Sequence, residues 1–475
     1  MDEPDPRRWR ILGVSLVVGF MSLLDVTIVN VAIPSMRTGL DTSAGTVQWV
    51  VSGYALAFGL TLVAGGRLGD AYGRRRMMLV GLAGFVLASA AVGFAPNAAL
   101  VVVARLAQGA CAGLLTPQNS GLIQQLFRGE ERARAFGLFG LVVSLASATG
   151  PLLGGLIIAV AGEDDGWRWL FLINVPIGLV AALAVLRLVP GRPPGTREEG
   201  AGIDVVGALL LGGAVLCLLY PLVSVEGGAR LPLVLLVGFP PLLWAFTTWE
   251  RRRARREQPP LLDVALLRGL PGFANGFAVG SLYFTGFTGV FLVLSVFLQD
   301  GRGLSPLAAG ALITPFAVGS AITSPLAGRL VSRAGRALTV VALVVMMTGV
   351  LGVALLVPGR GVGELWWALV PLLLVAGLGG GAVVSPNFTL TLADVPPRMG
   401  GAAGGALQTG QRIGSAIGAA LLMTAYQVGA ARSADHGLRV ALLTALVVLS
   451  LALVTAVRAR GSRPERTPPR PGAAR

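Results

Sequence analysis

Long apolar runs alternate with short polar breaks along the whole chain, and the pattern repeats about fourteen times. A run of ~20 apolar residues crosses a bilayer as a helix, because a helix satisfies its backbone groups internally. Such runs fall at roughly 10–33, 46–69, 77–95, 98–122, 135–160, 168–189, 203–223, 231–250, 272–298, 306–330, 337–357, 364–387, 401–428 and 438–458. The pattern predicts an all-α integral membrane protein with 14 transmembrane spans, both chain ends lying on one side. Polar residues inside a run are few, and these are the informative ones.

The first run is broken by Asp25, in Leu23-Leu24-Asp25-Val26-Thr27-Ile28-Val29-Asn30. A carboxyl at bilayer depth costs at least ~2.5–3.5 kcal/mol on insertion scales, so it marks a proton or ion site. Almost every other acid lies in a break between runs. The fourth run carries Arg105, within Arg105-Leu106-Ala107-Gln108-Gly109. At ~1.5 Å per residue, Arg105 lies roughly 10–12 Å and Asp25 about 12 Å from the outer ends of their helices. Equal depth permits an ion pair. The thirteenth run holds the second intramembrane arginine, Arg412, on a face shared with Gly405, Gln408, Ser415 and Ala419, with Gln411 beside it. That face should meet protein or a water-filled cavity, to bind substrate or to pack against the opposite half.

Composition agrees with the hydropathy pattern. A chain of 475 residues that is 54% hydrophobic and 13% charged, with a mean hydropathy of +0.75, is not a soluble globular protein. Its net charge of +15 does not indicate nucleic acid, because the 38 basic residues, all arginine, are distributed by side. Twenty-nine fall on the side carrying the termini, seven on the other and two within runs. The positive-inside rule then expects both termini in the cytoplasm of a bacterial plasma membrane. Trp9, Trp49, Trp167, Trp169, Trp249, Trp366 and Trp367 fall at or beside run ends, the level amphipathic rings favour, and Trp244 lies deeper. The first run lacks a small-residue cleavage site and reads as a retained anchor. Cys111 and Cys217 read as structural thiols and His436 as a solvated loop residue, so no disulfide framework or metal site is expected.

A weak internal repeat organises the runs. Gly66-Arg67-Leu68 followed by Gly73-Arg74 recurs as Gly328-Arg329-Leu330 followed by Gly335-Arg336, at an offset of 262. Gly109, Gly113 and Asn119 recur as Gly377, Gly381 and Asn387, at an offset of 268. Both echoes fall at equivalent positions of two six-run halves, which favours duplication. Two further runs, 203–223 and 231–250, stand between the halves. They follow the segment Pro190-Gly191-Arg192-Pro193-Pro194-Gly195 and precede the Arg251–Arg256 cluster. The expected division is residues 1–190, a linker with two extra helices over 191–269, residues 270–460, and a disordered tail over 461–475. The repeat also serves as a control. Arg105 maps to Leu373, and no acid occupies 287–293, the window matching Asp25. A purely architectural pair would tend to recur in both halves, so confinement to one favours function.

Between the second and third runs stands Gly66-Arg67-Leu68-Gly69-Asp70-Ala71-Tyr72-Gly73-Arg74-Arg75-Arg76. The glycines permit a sharp turn. Asp70 can pair with Arg74 or complement a helix N-terminus, which suggests a latch between the halves. This loop resembles the G-x-L-x-D-x-x-G-R-R pattern of the major facilitator superfamily, with Ala71 where many relatives carry a basic residue. Leu24 to Pro34, and Trp167-Arg168-Trp169-Leu170-Phe171-Leu172-Ile173-Asn174-Val175-Pro176-Ile177-Gly178, resemble signatures of its fourteen-span drug:proton antiporters. In the fifth run, Gly150-Pro151-Leu152-Leu153-Gly154-Gly155 resembles the motif of the superfamily's exporters. The resemblance covers essentially the whole chain and implies two six-helix bundles plus two inserted helices.

The fifth run also reads physically. Gly140, Ser144, Ser147, Pro151 and Gly155 form a small-residue stripe, extended by Gly150 and Gly154. Small faces let transmembrane helices approach closely, and Pro151 introduces a bend. The resemblance adds a hinge or seam that alternately opens and seals. Substrate-cavity candidates are Asn30, Gln48, Tyr54, Gln118, Asn119, Asn275, Tyr283, Phe284, Gln408, Gln411 and Arg412, although polar residues also serve as interhelical glue. Asp394, Asp204 and Asp263 fall at cytoplasmic run ends and are expected to meet water. The second half then has no deep acid, which favours neutral or singly charged amphipathic substrates.

The resulting expectation is an antiporter exporting drug-like or antibiotic-like molecules against protons, with Asp25 and Arg105 as the coupling pair. No Walker A pattern is present, which argues against direct ATP use. The proton gradient is then the energy source, with no cofactor, and a monomer is expected. A uniporter or importer on the same fold is the alternative within transport. An intramembrane lipid-modifying enzyme would need clustered acids, histidines or metal ligands near a membrane face, which this chain lacks.

Overall fold

The computed structural model describes residues 5–162, 164–191, 204–226, 231–256, 258, 260–264 and 269–461. Helices α1 (Arg8–Gly39), α2 (Ala44–Tyr72), α3 (Arg74–Gly93), α4 (Ala98–Leu126) and α5 (Gly129–Ala161) precede α6 (Gly166–Leu172) and α7 (Asn174–Leu188), which share one span. Helix α8 (Val205–Glu226) follows, and then a 3-10 segment (Leu231–Gly238) runs into α9 (Phe239–Arg255). The second half comprises α10 (Pro271–Val296), α11 (Pro306–Ala334), α12 (Arg336–Leu356), α13 (Val362–Thr391), α14 (Gly400–Ala430) and α15 (Ala434–Gly461). There are no strands among the described residues.

Every expected run is helical where it is described, and among the described residues the count of fourteen spans is not confirmed. Twelve segments are long and apolar enough to cross a membrane. A thirteenth is α5, bent by 40° between Gly129–Ser147 and Leu152–Ala161, where the sequence sets Gly150 and Pro151. The run expected at 203–223 is helical over Val205–Glu226, and its fully described apolar part is Val205–Pro221. The expected linker segment 192–203 and tail segment 462–475 lie outside the described residues.

The internal repeat governs structure as well as sequence. Helices α2 and α11 begin behind N-caps Ser43 and Ser305, which accept from Thr46 N at 3.2 Å and Ala308 N at 3.3 Å. They end at Gly73 and Gly335, with φ of 94° and 54°, a region that favours glycine. Caps and ends alike are 262 residues apart. The same helix pairs then pack in each half: α2 with α4 as α11 with α13, α3 with α4 as α12 with α13, and α1 with α5 as α10 with α14. Gly109 and Gly113 lie so close to Tyr54 and Phe58 of α2 that a Cβ on either would collide. Gly377 and Gly381 stand in that relation to Phe316 and Ser320 of α11, the residues 262 places on. Glycine at these points is what allows the helices to touch backbone to backbone.

Two seams join the halves, α2 against α14 and α5 against α11, and they are counterparts under the repeat. Gly66 meets the Gly401 carbonyl in the first, and Gly328 meets Gly137 in the second, again without room for a Cβ. The cross-half hydrogen bonds among the described residues gather toward the face where α1 begins and α15 ends. There Gln124 Nε2 donates to Leu392 O at 2.6 Å, Arg132 Nη2 to Ala393 O at 3.3 Å, and Ser324 Oγ to Gly137 O at 3.4 Å. An apolar cluster beneath them includes Phe136 and Phe139 packed on Phe388, with ring centroids 5.7 and 5.4 Å apart. The molecule is closed at this face.

Helix α8 lies across the α2–α14 seam, where Val215 and Leu219 pack on Leu56, with Ile413 and Ala416 alongside. Asp204, expected to meet water, is buried instead. It accepts from Gly207 N at 2.8 Å and from Trp249 Nε1 at 3.0 Å, and pairs with Arg253 at 3.3 Å. These donors replace water around its carboxylate, which is why a charge can sit there. Asp394 is exposed and Asp263 half-buried. Trp167, expected at the interface, is fully enclosed among α1 and α5 residues, and Trp244 is largely exposed on the outer surface of α9.

Candidate functional site

Asp25 sits near the middle of α1 with 1% of its surface exposed, and Arg105 of α4 with none. Arg105 Nη1 donates to Asp25 Oδ2, forming a buried ion pair. The other carboxylate oxygen, Oδ1, accepts from Gln108 Nε2 at 3.0 Å and from Asn174 Nδ2 at 3.1 Å. Both amides also donate to Ser89 Oγ at 3.1 Å, and the Ser89 hydroxyl donates to Phe171 O at 2.9 Å. Four helices therefore contribute to one closed network around a single carboxylate. Burial of a charge is tolerable only when it is paired and hydrogen-bonded in this way.

The guanidinium is held as firmly as the acid. Arg105 Nε donates to Val50 O at 3.0 Å and Nη1 to Gln108 Oε1 at 2.8 Å. Its plane lies over the Tyr54 ring at 4.1 Å, and Tyr54 is fixed in turn by a 2.9 Å hydrogen bond to Ser22 O. Stacking and a fork of donors suit arginine and not lysine. Gln108 was visible in the sequence as the residue one turn beyond Arg105. Ser89 and Asn174 were missed as partners. Asn174 stands inside a motif that marked a family but gave no role, and it reaches Asp25 because the helix breaks at Ile173 between α6 and α7.

Asp70 and Arg74 meet as expected, at 2.6 Å, at the C-terminal end of α2 and the start of α3. Asp70 also crosses to the other half. Its oxygens accept from Gly401 N at 3.1 Å and Ala402 N at 2.8 Å, the unsatisfied amides at the start of α14. An anion at a helix N-terminus is favoured by the exposed donors and by the helix dipole. Gly66 and Gly73 supply the close approach and the turn that permit this contact. The position 262 residues beyond Asp70 is Ser332, which among the described residues bonds within its own helix, so this cross-half contact has no counterpart on the other seam. Asp70→Asn is expected to loosen this face and slow the transport cycle several-fold while substrate binding persists. Single-turnover flux against equilibrium binding tests this, and an unchanged turnover rate would contradict it.

In α5, Gly150 fits against Thr27 of α1, two residues from Asp25, where a Cβ would collide with the Thr27 hydroxyl. Thr27 Oγ1 donates to Ala146 O at 3.0 Å, tying the same two helices. Gly154 is buried, whereas Gly155 has open space where a Cβ would stand. The side chains of Pro151, Asn30 and Gln48 lie outside the described residues.

The remaining cavity candidates divide. Tyr54 belongs to the Arg105 network. Gln118 is internal glue, donating to Gly65 O at 2.9 Å and Leu114 O at 2.8 Å, and Asn119 accepts from Ser15 Oγ. Tyr283 bonds Gly380 O at 3.2 Å and stacks within an aromatic group that includes Phe284. Asn275 is half-buried. Gln408 and Gln411 are buried on α14 and Arg412 is half-buried, reaching across the seam to Phe58, 4.6 Å from its ring centroid.

Two related bundles of membrane-crossing helices, joined along paired seams and closed at one face, define a polytopic transporter. The chain belongs to the Major Facilitator Superfamily, whose family model matches residues 15–419. Among its relatives is a probable actinorhodin transporter of Streptomyces coelicolor, 38% identical over 426 residues, covering 89% of this chain and 73% of that one. The puromycin resistance protein of Streptomyces alboniger is also 38% identical, over 440 residues, covering 91% and 85%. The human organic anion transporter MFSD10 superposes with a TM-score of 0.70 at 17% identity, covering 95% of this chain and all of that one, a likeness of fold alone.

Proposed function

We propose that this transporter is a proton-coupled antiporter that exports drug-like or antibiotic-like amphipathic molecules across a bacterial plasma membrane. The observation that carries the reading is the caged Asp25–Arg105 pair at mid-depth, present in one half and absent from its repeat. The relatives' names as antibiotic transporters and resistance proteins support the substrate class. The arginine bias supports a cytoplasmic terminal face. On this reading, residues 1–190 and 270–460 are the moving bundles and 191–269 an insertion beside the α2–α14 seam.

The mechanism follows from competition at Asp25. Arg105 and the two amides hold the carboxylate in one arrangement of the cage, and a proton taken up by Asp25 takes the place of the Arg105 contact in the other. Protonation removes the ion pair and permits one orientation of the bundles, and proton release with substrate bound favours the other. The α1–α5 contact at Thr27 and Gly150 ties this change to the bend in α5. The Asp70 latch opens once per cycle, letting substrate enter from the cytoplasm. Protons flow inward and substrate outward.

Flux in proteoliposomes under an imposed pH gradient tests the proposal. Dye or drug should leave the interior-equivalent side only when protons can enter, and substrate alone should drive proton movement. Flux indifferent to the gradient would identify a uniporter, and inward accumulation an importer.

A further inference from the structure

Arg412 is the one intramembrane cation that the coupling scheme leaves unused. Its guanidinium makes no ion pair and no hydrogen bond among the described residues, and the face of Phe58 is what it rests on. The mid-depth acid that could neutralise it, Asp25, is already paired with Arg105. Other described acids stand toward the two faces: Asp70, Asp204 and Glu250 at one, Asp300, Glu364 and Asp435 at the other. A charge at this depth without a partner is costly, and a retained one serves a ligand or a pathway. One turn back on the same helix, Gln408 is buried, and its Nε2 has no hydrogen-bond partner. Arg412 and Gln408 thus offer donors from one face and no negative charge.

We infer that Arg412 and Gln408 bind the anionic group of the transported molecule, so that the substrate is an amphipathic organic anion bearing a carboxylate, a sulfonate or an ionised phenol. Guanidinium and amide donors match the planar oxygens of such groups. The location connects binding to coupling. Arg412 lies over Phe58, Phe58 is 6.0 Å from Tyr54 between ring centroids, and Tyr54 lies under Arg105 at 4.1 Å. A pair of neighbouring rings, tilted by 48° to one another, separates the substrate's cation from the proton site's cation. An anion arriving at Arg412 pulls α14 and α2 against that pair, which bears directly on the guanidinium holding Asp25. This inference rests on the antiport reading for its transport cycle, but the binding site stands without it. With one proton exchanged per monoanion, each cycle moves two charges, so an interior-negative potential drives export.

The test is equilibrium binding of fluorescein, an anionic aromatic dye, and of ethidium, a cationic one, to purified full-length protein in nanodiscs. The wild type should bind fluorescein more tightly than ethidium. Arg412→Gln should weaken fluorescein about tenfold or more, the loss expected for a hydrogen bond to a charged group, and leave ethidium unweakened. Arg412→Lys should bind fluorescein more tightly than Arg412→Gln but more weakly than the wild type, since the charge remains while the fork and the stacking on Phe58 are lost. Absent fluorescein binding, a preference for ethidium, or an unchanged Gln variant would overturn the assignment. Equal losses for both dyes would also overturn it, because they would show Arg412 to be a staple between the halves. Fluorescein bound through Arg412 but transported without response to a pH gradient would defeat antiport and leave this site standing.

Discussion

Asp25→Asn is expected to abolish proton-driven efflux, reducing flux in proteoliposomes to that of protein-free vesicles while membrane insertion persists. Asparagine has nearly the same shape and can still accept from Gln108 and Asn174, but it cannot take up or release a proton in the working range. The variant also leaves Arg105 without its carboxylate. Breaking a buried pair by removing one partner costs about 3–5 kcal/mol, so lower thermal stability is expected alongside the lost coupling. Protein levels in the membrane separate the two effects, and Asp25→Glu, which restores the charge on a longer stem, should recover part of the flux. Drug resistance retained at the wild-type level by cells carrying Asp25→Asn would contradict the assignment.

Arg105→Gln should produce a different failure. It strips donors from Asp25, Val50 O and Gln108 Oε1 together, and removes the cation stacked on Tyr54. The ion pair that proton release re-forms is then gone, so the step that couples the proton to the bundles is lost. The expected variant binds substrate but moves it at a rate that no longer responds to an imposed pH gradient, with coupled flux at least about tenfold down. Arg105→Lys should recover little, because an ammonium reproduces neither the fork nor the stacking. Flux measured across a series of imposed gradients checks this, and a wild-type gradient dependence in Arg105→Gln would make the arginine structural.

Much of this architecture was legible because a membrane simplifies the code. Apolar runs had to be helices, and every described run is one. The repeat was legible too, since Gly66, Gly73 and their partners at Gly328 and Gly335 answer to backbone contacts and turns that only glycine permits. Asp25 and Arg105 stood out because a charge in an apolar run is conspicuous, and equal depth was enough to suggest that they meet. What the sequence hid depends on direction around a helix. Ser89 and Asn174 are ordinary polar residues until α3 and α7 turn them toward Asp25, and Tyr54 was read as cavity when it is the floor under Arg105. Asp204 was misread because its position near a run end suggested water, whereas Trp249 and Arg253 fold over it. The count of fourteen spans is the part left unconfirmed, because the run at 203–223 borders residues outside those described.

The most direct measurement is proton release on substrate binding, read with a pH-indicator dye from purified protein in weakly buffered solution after addition of a transported drug. Wild-type protein should release protons when the drug binds, and Asp25→Asn should bind the drug and release none. Equal release from both proteins, or drug binding to the wild type with no release, would contradict the claim that this carboxylate exchanges protons for substrate.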